Sequence, residues 1–324
     1  MSAALVARRT LGAAVTIVGR GLFTGAPVTM RLIPADSGGI VFVRRHLIAN
    51  ERSGSGTASQ STQSETVVPA LIENVVRAPG LRHTVLHRSA AAAPFGFPPG
   101  TSSADASIAT VEHVMSALAA AGVSDVRITL DAGEPPMMDG SALPLALEIA
   151  RVGTVACAGS TPHVPLVVRE RVAIEEGATK IEAIPLGAGI PAALRCEYHL
   201  DFGPGAPIPP QHAAWTLAHA APDLASYTRE IAPARTFSTR REAEVLRAAG
   251  MFVHVRPGEV LVIDAAGPIE TRLRFPDEPA RHKVLDMLGD LALAGRPIVA
   301  LIRAERTGHA MNHRMAHLLL ERFG

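Results

Sequence analysis

The stretch "RHKVLDMLGD" at residues 281–290 places a histidine, a lysine and two aspartates inside an apolar-periodic run. With His282 set at 0° and about 100° per residue, Asp286 falls near about 40°, Asp290 near about 80° and Lys283 near about 100°. Val284, Leu285, Leu288 and Leu291 occupy roughly 180–300°. The expected helix therefore has an apolar face for a core and, opposite it, a stripe carrying those four ionisable groups. An imidazole and a carboxylate at i and i+4 stack on one face and can reach a single cation. A hydrolytic metal centre takes about three protein ligands and keeps one position open, so His282 and Asp286 need a third ligand from elsewhere.

Three other segments offer matching chemistry. In "ATVEHVMSALAAAG", His113 directly follows Glu112, which gives a metal ligand and a carboxylate within one water's reach. Metal-assisted hydrolysis uses that pair: the ion acidifies a water and polarises a carbonyl, and the carboxylate removes the proton. In "RTGHAMNHRM", His309 follows Gly308 at a helix start, where it can approach a substrate and act as a general acid. In "ARTFS", Thr236 can donate a hydroxyl to an oxyanion. Each segment also has an ordinary reading on its own residues: a wet helix face, an exposed glutamate beside a packed histidine, a capping or core histidine, a loop threonine.

The elements that must position these groups follow from periodicity. Residues 12–18 and 27–33 read as strands around the turn "GRGLFTG", and further strand-like pieces occupy 40–76. A polar stretch at 50–66 and an Ala/Pro/Gly/Ser-rich stretch at 87–107 read as loops. A helix over about 108–121 ends at Gly122 as a left-handed cap, and "DVRITLDA" alternates as a strand. Residues 152–165 read as a linker. Beyond it the order recurs: strands at 166–174, 179–184 and 191–202, a helix at about 279–294, the strand "PIVALIRAE" and a final helix over 309–322. The expected fold class is α+β, with two domains of similar plan, each a helix layer on a β-sheet. They cover 1–160, carrying the Glu-His helix, and 161–324, carrying the His-x-x-x-Asp helix.

Composition narrows the function classes. The chain has 324 residues, 48% hydrophobic and 19% charged, which suits a globular protein with sizeable cores. A net charge of +1 without a basic block gives no nucleic-acid footprint. No run approaches 18 consecutive apolar residues, so no transmembrane segment is expected. The segment after Arg8 and Arg9 superficially resembles a signal peptide, but it lacks a small-residue cleavage site and reads better as strands. Two cysteines, Cys157 and Cys196, form no framework, which fits a reducing, cytoplasmic setting.

Taken in order, "TLGAAVTIVGRGLFTG", "TVEHVMSALAAAGVSD", "PPMMDGSALP", "IAPARTF", "FPDEPARHKVLDMLGDLALAG" and "RTGHAMN" resemble the zinc-dependent UDP-3-O-acyl-N-acetylglucosamine deacetylases of lipid A biosynthesis. The resemblance runs from about residue 9 to the C-terminus. It implies a small insert in each domain, the second at about 240–266, with the active site between the domains. It also implies Zn2+ as cofactor, with Fe2+ as the alternative ion, and a small-molecule acylated UDP-sugar as substrate. By the same resemblance His113, His282 and Asp286 match the metal ligands and Glu112 the general base. His309 matches a general acid or electrostatic partner, and Asp290 the aspartate that orients and tunes it. Thr236 matches an oxyanion donor, Lys283 a substrate contact and Phe237 an aromatic residue lining the site.

The sequence departs from the family pattern in four places. Phe23 stands where a histidine is usual in the first turn, and Ser238 and Thr239 follow "RTF" in place of Gly-Phe. His254, Val255 and Arg256 fall where the family carries glycines along an acyl passage, and 87–107 is long. These changes spare the expected metal site and gather around acyl recognition. They leave open a paralogue acting on another N-acetylated sugar nucleotide, or a non-catalytic zinc-binding member. The lack of H-E-x-x-H disfavours a zinc peptidase.

Overall fold

A computed structural model describes residues 4–48, 62–78, 81–88 and 107–324. The expected loops at 50–66 and 87–107 lie outside these residues at 50–61 and 89–106, while 62–66, expected as loop, begins the strand Thr62–Pro69 because it pairs with Ile40–Ile48. The fold is α+β, as expected. In the first half, strands Val15–Arg20, Pro27–Pro34, Val126–Leu130, Ile40–Ile48 and Thr62–Pro69 lie side by side in that order. In the second half the corresponding order is Val172–Glu176, Thr179–Ile184, Ile298–Glu305, Ala193–Leu200 and Gln211–Ala218. Counted in chain order within each half, both sheets run 1-2-5-3-4. All neighbours are antiparallel except the pair formed by the third and fifth strands. The strands alternate as half-buried strands should: Val28, Met30 and Leu32 point inward from Pro27–Pro34.

Each sheet's fifth strand is preceded by one helix and followed by another. These are α1 (Glu112–Ala120) and α2 (Leu143–Val152) in the first half. In the second, α5 (Glu278–Ala292) precedes it and α6 (His309–Phe323) follows it. Two shorter helices, α3 (Leu224–Glu230) and α4 (Arg240–Ala248), lie between the last two sheet strands of the second half. Helix α1 packs against α5, and α5 packs in turn on Ala193–Leu200 and Gln211–Ala218. One apolar cluster runs continuously through both halves.

This packing changes the reading of α5. The stripe of His282, Asp286 and Asp290 does not face water, because α1 covers it: the three residues are 4%, 3% and 0% exposed. Gly289 allows the close crossing, since a Cβ there would overlap the carbonyl oxygen of Glu112. The wheel located the polar stripe but contained no information about a second helix lying on it.

Other differences are local. Helix α1 begins at Glu112 because Ser107–Ala109 pairs with Val85–His87, and Thr110 then takes a left-handed φ of 60°. The cap is as expected, with Gly122 at φ 67°. Within the expected linker, Thr154–Ala156 pairs with Arg9–Leu11, and His163 bridges to Val6. Helix α2 starts behind a proline in its first turn, where a missing N–H costs nothing. The departure at Ser238-Thr239 has a structural reason: Thr239 caps α4 and closes a capping box with Glu242.

The two halves are tied beside the motif "PARTF". The Thr236 N–H donates to the Gly140 carbonyl at 2.7 Å, and Arg274 pairs with Asp139 at 2.8 Å. Beneath them Arg235 and Glu278 form a buried ion pair at 2.9 Å, with further Arg235 bonds to Gly258 O, Thr271 Oγ1 and Arg272 O. A buried pair of this kind persists only where its remaining donors are satisfied.

Candidate active site

The α1–α5 crossing brings the expected metal ligands together. One ligand atom from each of His113, His282 and Asp286 lies within 4.8 Å of the others, and no other such group occurs among the described residues. Asp286 Oδ1 stands 3.4 Å from His282 Nε2 and 3.8 Å from His113 Nε2. Tetrahedral ligands about 2.0–2.1 Å from one ion lie about 3.3 Å apart, so the set needs only small movements to close on a cation. His282 Nδ1 donates to the Ala234 carbonyl at 3.1 Å, which leaves Nε2 as the ligand atom. Two imidazoles and a carboxylate fit a hydrolytic divalent ion.

Protonation favours ligation too. Burial, with the neighbouring His282, lowers His113 to about 3, and burial lowers His282. Burial opposes ionisation of Asp286, but His282 and Lys283 outweigh it and hold the carboxyl well below the usual range. The cluster thus presents neutral imidazoles and an ionised carboxylate at neutral pH.

Around this set the other expected residues take distinct places. Burial raises Glu112 to about 7, against the pull of the His309 charge. Burial works against a charged His309, yet Asp290 and Asp286 prevail and keep it protonated up to about 9. His309 Nδ1 donates to Asp290 Oδ2 at 2.8 Å, and its Nε2 lies 3.8 Å from Asp286 Oδ2. Lys283 Nζ donates to Asp286 Oδ2 at 2.8 Å and sits 5.5 Å from the Phe237 ring centroid. Phe237 stands edge-on to His282 at 6.0 Å. The Thr236 hydroxyl donates to Gly140 O at 3.2 Å.

A profile of the UDP-3-O-acyl N-acetylglycosamine deacetylase family matches residues 8–321. The chain belongs to this family. Similar proteins named UDP-3-O-acyl-N-acetylglucosamine deacetylase include one from Thermosynechococcus vestitus, 34% identical over 97% of this chain and 94% of that protein. One from Myxococcus xanthus is 33% identical over 97% of this chain and 86% of its own length, and one from Nostoc sp. is 32% identical over 97% and 98%. Within this deacetylase family frame, no helix among the described residues is long and apolar enough to cross a membrane.

Four neighbours of the site were not singled out from the sequence. Thr84 joins the two halves: its N–H donates to Glu112 Oε2 at 3.1 Å and its hydroxyl to Asp290 Oδ1 at 2.6 Å. Asn312 donates to Asp290 Oδ2 at 2.9 Å, and His313 Nε2 lies 3.2 Å from Asp290 Oδ1. His83 stacks on Phe23 at 4.3 Å, and its buried Nδ1 has no partner among the described residues. A signal existed for two of them, since His309, Asn312 and His313 share a helix face at i, i+3 and i+4. Thr84 and His83 lie in a segment without periodicity and gave none.

Two expected outcomes arise here. Thr84→Val removes the hydroxyl bond to a buried carboxylate and is expected to cost about 1–3 kcal/mol, read as a lower denaturation midpoint. Thr84→Ser restores it. Gly289→Ala pushes α5 off α1. Overpacking is expected to cost about 1–3 kcal/mol, and the displaced ligands to lower kcat on the order of 10²-fold. Steady-state kinetics beside a guanidinium titration measure both, and an active, equally stable G289A protein would remove the crossing from the account.

Proposed function

We infer that the chain hydrolyses the N-acetyl amide of UDP-3-O-acyl-N-acetylglucosamine, releasing acetate, as a step of lipid A biosynthesis. The observation that carries this is the His113–His282–Asp286 set with Glu112 beside it and a protonated His309 across it. In this reading the resident ion is zinc, held by those three residues, and it supplies Lewis acidity that acidifies a water and polarises the acetyl carbonyl. Glu112, ionised above its raised pKa, accepts the water's proton. Protonated His309 donates to the developing oxyanion, and Asp290 keeps its Nδ1–H oriented. Thr236 adds a second donor once its hydroxyl rotates from Gly140. The amide nitrogen gains a proton as the C–N bond breaks, leaving acetate and the glucosamine amine. Lys283 and Phe237 hold the substrate beside Asp286 and His282.

The acyl group in this reading is short. The insert bends onto the first half, where Leu22, Phe252 and Val260 bury one another with Phe23 and Val255 against them. His254 Nε2 donates to Gly21 O at 2.9 Å. This packing supports the reading that larger side chains at 254–256 leave less room for an acyl chain. We also infer a division into two domains near residue 160, supported by the matching strand orders, and a cytoplasmic setting, supported by two buried free thiols.

Metal analysis coupled to acetate release from UDP-N-acetylglucosamine, with and without 3-O-acyl chains of increasing length, tests the reading. Zinc near one equivalent and acyl-dependent turnover are expected. Turnover indifferent to the acyl group would overturn the substrate, and a zinc-loaded protein inactive on every sugar nucleotide would overturn the reaction.

A further inference from the structure

A second cleft, of about 170 Å³, opens at the ends of α1 and α5 remote from the catalytic cluster. Its floor is aliphatic: Val123, Leu194, Leu217, Leu288, Leu291 and Ile298, all buried. On α5 the floor residues Leu288 and Leu291 lie on the apolar face opposite His282 and Asp286, so the helix itself stands between the two sites. Burying an apolar chain against such a floor removes it from water at roughly 25 cal/mol per Å².

The polar lining has one sign. Arg9 and Arg296 border the cleft, and no Asp or Glu occurs among its described lining residues. Arg9 Nη2 donates to the Thr154 carbonyl at 3.0 Å and Arg296 Nε to the Val164 carbonyl at 2.9 Å. These bonds fix both guanidinium groups without neutralising them. Neither pairs with a carboxylate among the described residues. His163 and His219 also line the cleft, and burial lowers both, so they add polarity without charge at neutral pH.

We propose that this cleft binds a single acyl chain with a carboxylate head, the tail on the aliphatic floor and the head at Arg9 and Arg296. A peptide would bring backbone groups that such a floor cannot satisfy. A neutral alkane would leave the two cations unmatched, and a cationic amphiphile would be repelled.

Calorimetric titration of the full chain with decanoate tests this. One-to-one binding is expected. It should be weakened about tenfold, or about 1.4 kcal/mol, by Arg296→Glu and again by Ala292→Phe, which fills the cleft. Decyltrimethylammonium should bind at least as much more weakly than decanoate. His282→Ala should leave decanoate affinity unchanged, and acetate release should be the same in R296E and A292F as in the parent chain. Binding that survives both cleft substitutions but vanishes in H282A would place decanoate in the catalytic pocket and overturn the proposal. Equal affinity for the cation, or no binding, would overturn it as well. The readout is independent of turnover, so it stands or fails apart from the deacetylase reading.

Discussion

His282→Ala is expected, on the proposed zinc reading, to release most of the metal and to lower acetate release by on the order of 10³-fold or more, the equivalent of losing several kcal/mol of Lewis-acid stabilisation. The size follows from geometry. His282 is one of the three proposed ligands, its Nε2 faces Asp286 Oδ1 at 3.4 Å, and its Nδ1 is already committed to Ala234. Alanine also leaves Asp286 with a single imidazole near Oδ1, while its Oδ2 stays with Lys283. Two ligands from different helices hold an ion far less well than three. The paired measurement is metal content after dialysis and kcat/KM. An H282A protein that keeps both zinc and turnover would sink the ligand assignment.

Glu112→Gln separates binding from proton transfer. Glutamine preserves the side chain's shape and its acceptor for the Thr84 N–H, so zinc is expected to stay near one equivalent. It cannot accept the water's proton, and kcat is expected to fall about 10²–10⁴-fold. The pH dependence has a definite sign. Burial lifts the Glu112 carboxyl to about 7, and a divalent ion beside it pulls the value down again. Activity of the parent chain should therefore fall as pH drops through an acid limb below about 7. His309, protonated up to about 9, should give a second fall as pH rises through that value. E112Q should lose the acid limb. Normal turnover in E112Q would refute the base assignment.

Much of the site was legible because its residues repeat at helix spacing. His282 and Asp286 at i and i+4, and an adjacent Glu112-His113, are patterns that local geometry can interpret. The two apolar-periodic helices and the alternating strands were legible for the same reason. What spacing could not supply was the meeting of α1 and α5. Gly289 looks like any helix glycine in sequence, and only the crossing shows that it admits Glu112. Thr236 illustrates the opposite limit. Family likeness names it an oxyanion donor, but nothing in its spacing says that its N–H and its hydroxyl both donate to the Gly140 carbonyl of the other half. Arg235 and Glu278 sit inside matched motifs yet serve as a buried ion pair that holds those motifs in place.

Glu112 and His113 belong to one half of the chain, and His282, Asp286 and Asp290 to the other. Thr84 and Gly289 are among the points where the halves touch at the centre. Catalysis is thus a property of the interface between the halves. Local opening needs less free energy than global unfolding, and a slip of about an ångström suffices to idle the chemistry. Acetate release should consequently fade in denaturant before far-UV circular dichroism changes, so that activity serves as a strain gauge for the seam between the two sheets.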